Sequence, residues 1–297
     1  MLDEFKQAFH RYNNAHVQLI IINVVVFLAL AALKVFSLIF QAEGFFILLH
    51  QQLAIPAAFA DFIQKPWTIV TYAFVHDLSG IFHILFNMLV FYWFGRLFVE
   101  YLGSDKLVAV YVLGFLAGGI AFLLVYNFIP FYKLNIPGGG MVGASAAVNA
   151  VVVACATLVP NYTFYMLFLG PVRIKYIAAF FIVLSFIGSV GTNAGGNIAH
   201  LGGALIGFLY IRQLQAGVNW GGWITAFLDW VKSIFKPDPK VKVSYRSERK
   251  RKKESRKPSS ERISQDEIDA ILDKISAGGY ESLTREEKEK LFNASKK

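Results

Sequence analysis

The chain has 297 residues, of which 56% are hydrophobic and 16% charged, with a formal net charge of +9. A water-soluble domain cannot cover so much apolar side chain with polar surface, so an ordinary soluble enzyme is excluded. The basic excess is mostly a property of the tail beyond Lys232, so nucleic-acid binding does not follow from it, and the single cysteine, Cys155, excludes an internal disulfide.

In chain order, residues 1–16 form a short polar segment. The first apolar run, Val17–Phe40, is too long for the core of a cleaved leader and is expected to be a retained span. Gln41–Thr71 is apolar but broken by Pro56 and Pro66, which predicts an interfacial loop with short helices. Five further runs follow at Gly80–Tyr101, Leu107–Phe128, Gly143–Val159, Val172–Val190 and Ala194–Leu214. Each is near the ~20 residues that cross a bilayer. The expected fold is therefore an all-α polytopic membrane protein whose core, residues 17–214, is a bundle of six transmembrane helices. Gly203 and Gly207 are four apart, a spacing that lets two helix backbones approach closely.

The tail divides into three parts. Residues 215–235 carry Trp220, Trp223, Phe227 and Trp230 at roughly helical spacing, which suggests an interfacial helix; a soluble helix packed on the body is the alternative. Residues 236–262 read as a disordered basic linker attracted to anionic lipid, since Lys240–Lys257 holds ten basic and two acidic residues. Residues 263–297 predict two short helices, opened by capping boxes at Ser264–Glu267 and Thr284–Glu287. Ile271, Leu272, Ile275, Leu283, Leu291 and Phe292 could form one small core there. The tail's partner is not legible.

Lys and Arg set the orientation. Lys6, Arg11, Arg96, Lys106, Arg173, Lys175 and Arg212 fall on one side, whereas the other side carries Lys65 and Lys133. Both termini are expected to be cytoplasmic, in an integral protein of a bacterial inner membrane. Lys34, late in the first span, is expected to snorkel to the outer interface.

Polar groups inside the spans then demand a reason. The second span opens with His83 and Asn87, four apart on one face; the fourth opens with Gly143 and Ser145; the sixth carries His200 near its start. All three spans enter from the outer side, so these side chains lie within about two turns of one level at ~1.5 Å rise per residue. One serine alone usually bonds its own helix backbone, and one His–Asn pair usually glues helices. Coincidence on three helices at one depth is harder to arrange by chance. A zinc His-Glu-x-x-His motif is absent, and no paired intramembrane aspartates are present. A serine activated by a histidine remains, with no carboxylate to complete a triad. His83 and Asn87 can both donate to a developing oxyanion.

These residues resemble the rhomboid family of intramembrane serine proteases. The resemblance covers His83-x-x-x-Asn87, Gly143-x-Ser145-Ala146, Ala199-His200-x-x-Gly203-x-x-x-Gly207, Pro66-Trp67 and His76, in order, across about residues 17–214. It implies Ser145 as nucleophile and His200 as general base, with His83, Asn87 and the Ser145 amide as oxyanion donors. It implies that Gly143 keeps the loop open to substrate backbone. It implies that Gly203 and Gly207 let the sixth span pack on the fourth. His76 would hold the first loop by hydrogen bonds. Relatives often carry an aromatic residue four positions after the serine; here Asn149 stands there, and its amide could orient the imidazole.

The expected function is hydrolysis of peptide bonds in or near substrate transmembrane helices by a Ser–His dyad, with no metal and no cofactor. The expected partners are transmembrane protein substrates and the lipid bilayer, with no nucleic acid. A rhomboid-like pseudoprotease that binds clients without cutting is the main rival, but such proteins usually lack the serine or the histidine. A proton-linked transporter would want intramembrane carboxylates.

Overall fold

A computed structural model describes residues 13–136, 138–166, 170–235 and 265–294. Lys6 and Arg11, the basic linker 236–262 and Ser264 of the first capping box lie outside these residues. The chain divides into two compact units, a body that includes every apolar span and a tail of two short helices.

The body opens with α1 (Ala15–Ile39). The first loop then folds into α2 (Glu43–Leu53), α3 (Phe59–Gln64), α4 (Thr68–Thr71) and a 3₁₀ turn at Tyr72–Phe74. Next come α5 (Ile81–Leu102), α6 (Ser104–Phe128) and the single turn α7 (Pro130–Lys133). α8 (Ser145–Leu158) leads into a two-stranded hairpin, then α9 (Ile174–Gly188), α10 (Ala194–Gln215) and α11 (Gly222–Phe235). Four of these helices, α1, α5, α6 and α10, are long and apolar enough to cross a membrane. α8 and α9 are apolar but shorter, at 14 and 15 residues.

α8 is short because it stands inside the bundle rather than against lipid. Its Ala and Val side chains from Ala146 to Cys155 are buried almost without break, save Asn149. Protein around it satisfies the loop that leads into it, which a lipid-facing segment could not tolerate. That loop is tied down by main-chain bonds: Ile55 and Met141 exchange N–H···O bonds of 3.0 and 2.9 Å, and Gly143 N donates to Tyr72 O at 2.9 Å. The first loop is fixed in turn. Trp67 Nε1 donates to Gln52 O at 2.8 Å, Thr71 Oγ1 to Leu53 O at 2.8 Å, and Asn127 Nδ2 to Ala57 O at 2.7 Å. It is a loop of short helices, as the two prolines predict.

Small residues let α10, α8 and α6 approach. A Cβ on Gly203 would overlap the Ala146 carbonyl oxygen, and one on Gly207 the Ala150 carbonyl oxygen. A Cβ on Gly118 of α6 would meet the Ala146 methyl and the Ala199 carbonyl oxygen. Burial of His200's helix against the start of α8 thus depends on the absent side chains.

One expectation needs correction. The body is not wholly helical: Thr163–Met166 (β1) pairs antiparallel with Gly170–Arg173 (β2), in the register Thr163↔Arg173. Pairing keeps Gly170–Arg173 extended, so the fifth helix starts at Ile174 rather than Val172. Phe164 anchors the hairpin on Phe94, with ring centroids 5.1 Å apart.

In the tail unit, α12 (Gln265–Gly278) and α13 (Arg285–Ala294) flank a 3₁₀ turn at Tyr280–Ser282. The second capping box forms as expected: Thr284 N donates to Glu287 Oε2 at 2.7 Å. Lys274 adds an ion pair to Glu287 at 2.9 Å. Together these hold the Glu287 carboxyl down at about 2, the Thr284 amide being the largest cause. Ile271 and Leu283 are buried, whereas Leu272 and Phe292 stay about half or more exposed, so the expected six-residue core is smaller.

Candidate active site

Ser145 is the first residue of α8, and His200 lies two turns into α10. The Gly203–Ala146 contact brings these turns together, and the His200 Nε2 to Ser145 Oγ distance is 2.7 Å. That is the separation needed for proton transfer between a hydroxyl and an imidazole. Further along α8, Cys155 is fully buried with its thiol on Phe94 O at 3.3 Å, and the Thr157 hydroxyl donates to Val153 O at 2.7 Å.

The far side of the imidazole is held by a residue that sequence reasoning missed. Ser185 Oγ of α9 lies 3.2 Å from His200 Nδ1, and Ser185 is buried. With Nδ1–H donating to Ser185, the lone pair of Nε2 faces Ser145. In the sequence Ser185 is a lone polar residue in an apolar run, which normally signals a bond to its own helix; nothing there points to His200. The role expected for Asn149 is corrected accordingly. Its Nδ2 donates to Ser145 O at 2.9 Å, one turn back on its own helix, because that carbonyl is the nearest acceptor at i−4.

Gly143 has φ +136°, a conformation that L side chains rarely adopt. A Cβ there would lie 3.5 Å from Ser145 Oγ and 3.6 Å from the His83 ring. The residue therefore keeps clear the space between serine and His83. His83 is exposed into this space from α5. Asn87, one turn along, uses one amide hydrogen on His83 O at 3.0 Å and keeps the other.

His76 is fully buried beneath His83, with ring centroids 5.6 Å apart in an edge contact. Neither ring nitrogen has a hydrogen-bond partner among the described residues. The Phe74 backbone is the polar group that bears on its ring, and the ring also supports His83 by edge packing. Burial, and then the neighbouring His83, push its pKa down to about 4, so it is neutral near pH 7. Next to it, the Ser79 amide bonds the Asp77 carboxylate at 2.8 Å and holds it below the usual carboxylate range.

Ser145, His83 and Asn193 line two cavities at once. One, of about 470 Å³, lies between α5 and α9 and is walled by apolar side chains such as Phe86, Val90, Phe181 and Leu184. The other, of about 600 Å³, is walled by more polar groups, including His50, Asp77 and Thr192. A hydroxyl with an imidazole nitrogen at 2.7 Å, reached from an apolar side and a polar side, has a geometry that acyl transfer could use.

The fold and this pairing define a membrane-embedded serine–histidine site on a helical scaffold. Residues 64–216 match the Rhomboid domain, and the chain belongs to the rhomboid family. Residues 256–297 match a family of unknown function, DUF6576. The chain is 29% identical over 160 residues to RHOMBOID-like protein 12, mitochondrial, of Arabidopsis thaliana, which covers 50% of this chain and 47% of that protein. It is 32% identical over 137 residues to the presenilin-associated rhomboid-like proteins, mitochondrial, of Rattus norvegicus and Mus musculus, covering 44% of this chain and 34% of theirs. The chain thus aligns with about half or a third of the length of these relatives. Their names place them in mitochondria and lend no support to the bacterial location expected above.

Proposed function

We propose that the protein is an intramembrane serine endopeptidase that cuts peptide bonds in or near the transmembrane helices of substrate proteins. The observation that carries this reading is the Ser145–His200 pair at 2.7 Å, with Ser185 on the other imidazole nitrogen. In this reading Ser145 Oγ attacks the scissile carbonyl while His200 Nε2 takes its proton. The resulting imidazolium gives that proton to the departing amine nitrogen, leaving an acyl-enzyme. Water, deprotonated by His200, then releases the acyl group and restores the serine. The oxyanion of each tetrahedral intermediate accepts from the Ser145 amide, the free hydrogen of Asn87 and the His83 ring. The Ser145 amide, at the first turn of α8, has no partner within its own helix to lose.

Six spans, with α8 and α9 as the short fourth and fifth, and both termini on the basic side of the membrane complete the reading. Residues 17–214 are the catalytic core, and 215–235, 236–262 and 263–297 are appended on the basic side. The 2.7 Å contact between His200 and Ser145 favours a protease over a pseudoprotease that binds clients without cutting them.

Labelling with a serine-reactive fluorophosphonate tests the proposal directly. Purified protein should label at Ser145 and cleave a reporter transmembrane substrate. Ser145→Ala should lose both, and His200→Ala should lose turnover with the fold assembled. Near-native turnover by either folded variant would remove the dyad.

A further inference from the structure

A third cavity, of about 680 Å³, shares no lining residue with the two that meet at Ser145. It is a groove between α1, α6 and α11, floored by the first loop at Phe74 and Val75. Its walls are apolar: Leu19, Ile22 and Val26 of α1 face Val108 and Val112 of α6, with Leu228 of α11 beside them. One end is different. Ser104, Asp105, Asp229 and Lys232 gather there, and Lys232 Nζ lies 2.8 Å from Asp229 Oδ1. On α6 the lining runs from Ser104 to Val112, eight residues or about 12 Å at ~1.5 Å rise. That is close to one leaflet of a ~30 Å hydrocarbon core.

The depth of the charged end is marked independently. α11 buries Ile224 against the body, and its opposite stripe, Trp223, Phe227, Trp230 and Ile234, is 54–60% exposed. Spacings of four, three and four place these side chains on one helix face. Tryptophans on an exposed apolar face belong at the membrane–water boundary. Asp229 and Lys232, on the same helix, therefore sit at headgroup level, and the groove runs inward from them.

The two walls are also fixed relative to each other. Ala15 N donates to Ser104 Oγ at 3.1 Å, and Asn23 Nδ2 donates to Tyr111 Oη at 3.1 Å. These ties, one partly buried and one buried, join α1 to α6 along the groove and fix the separation of its walls.

We propose that this groove is a binding site for a glycerophospholipid of the leaflet on the α11 side, with a phosphoethanolamine headgroup. One acyl chain lies between α1 and α6. The phosphate accepts hydrogen bonds from Lys232, and the primary ammonium donates to Asp105 and Asp229. The charges select the headgroup. Two carboxylates and one ammonium give the mouth a net charge of −1, which repels a purely anionic headgroup and suits one that carries its own cation. A quaternary amine lacks the N–H donors that carboxylates accept, so choline fits less well. The site lies apart from Ser145 and its occupancy can be read without any peptide being cut.

The test uses full-length protein in nanodiscs of phosphatidylcholine, with a trace of phosphatidylethanolamine bearing a photoreactive acyl chain. Crosslinked peptides are mapped by mass spectrometry. Label should concentrate on α1, α6 and α11, and unlabelled phosphatidylethanolamine should compete at least ten-fold better than phosphatidylglycerol. Val108→Trp and Leu228→Trp each fill the groove from a different wall. Whichever variants keep the native melting temperature should lose the groove label several-fold. Asp105→Asn should erase the preference over phosphatidylglycerol. Label spread over all lipid-exposed helices, equal competition by phosphatidylglycerol, or label indifferent to groove filling in a folded variant overturns the proposal. So does displacement by an added transmembrane peptide at equimolar lipid, which would assign the groove to a protein client.

Discussion

Replacing Gly203 by alanine tests how the scaffold sets the site. The new Cβ would lie 2.8 Å from the Ala146 carbonyl carbon and overlap its oxygen. The obstacle is helix backbone, so no side chain can rotate away, and α10 must move from α8 by something on the order of 1 Å to restore contact. Overpacking of this kind typically costs about 1–3 kcal/mol. The catalytic consequence should be larger in proportion. His200 stands three residues before Gly203, and its 2.7 Å contact with Ser145 is made from the residue next to Ala146. A misplacement of ~1 Å at a reacting pair can lower turnover by about 10²-fold. Gly207→Ala meets the Ala150 backbone two turns from His200 and should cost similar stability with less loss of rate. The assay pairs thermal unfolding with turnover of a reporter transmembrane substrate. Ala146→Gly should not rescue Gly203→Ala, because the clash is with main chain rather than with the Ala146 methyl. Wild-type stability and wild-type turnover in Gly203→Ala would refute the argument that these glycines set the dyad distance.

Three further outcomes follow from the geometry. Ser185→Ala should lower kcat several-fold, corresponding to about 1 kcal/mol for one neutral hydrogen bond, and shift the pH profile of kcat/KM with KM little changed; Ser185→Thr should restore much of the loss, whereas an unchanged profile in the alanine variant would show that Ser185 only packs. Asn87→Ala should retain fluorophosphonate labelling while lowering turnover by up to about 10²–10³-fold, and a His83→Ala, Asn87→Ala double variant with full turnover would leave both residues as helix contacts only. In the tail, the Glu287 carboxyl is held at about 2 by the Thr284 amide and Lys274, below the 4.5 of a free glutamate. A depressed pKa means stabilisation that is present above about 4.5 and lost as pH falls towards 2. Hydrogen-exchange protection of α13 should therefore fall across that window in the full-length protein and vary little above it; flat protection down to pH 2 would remove the capping box as a source of stability.

The membrane class, the long spans, the serine and the histidine were legible in the sequence because each depends on short-range pattern. Apolar run length decides which segments enter lipid. Four-residue spacing decides that His83 and Asn87 share a face, and it places Gly203 and Gly207 as contact points before any partner is known. The Thr284 capping box was legible for the same reason, since its bonds close within four residues. What remained hidden depends on groups far apart in the chain. Ser185 looks like any serine in an apolar helix, and only packing of α9 on α10 brings its hydroxyl to His200 Nδ1, fifteen residues away. Asn149 has the chemistry to orient an imidazole, but its own helix offers a nearer acceptor in Ser145 O. His76 reads as a hydrogen-bonding loop residue, and its support of His83 by ring contact appears only when both are placed. The hairpin at Thr163–Arg173 and the 14-residue length of α8 were likewise set from outside those segments. Hydropathy reports how much side chain must leave water; whether lipid or protein receives it, and which polar groups meet there, is settled by packing between helices.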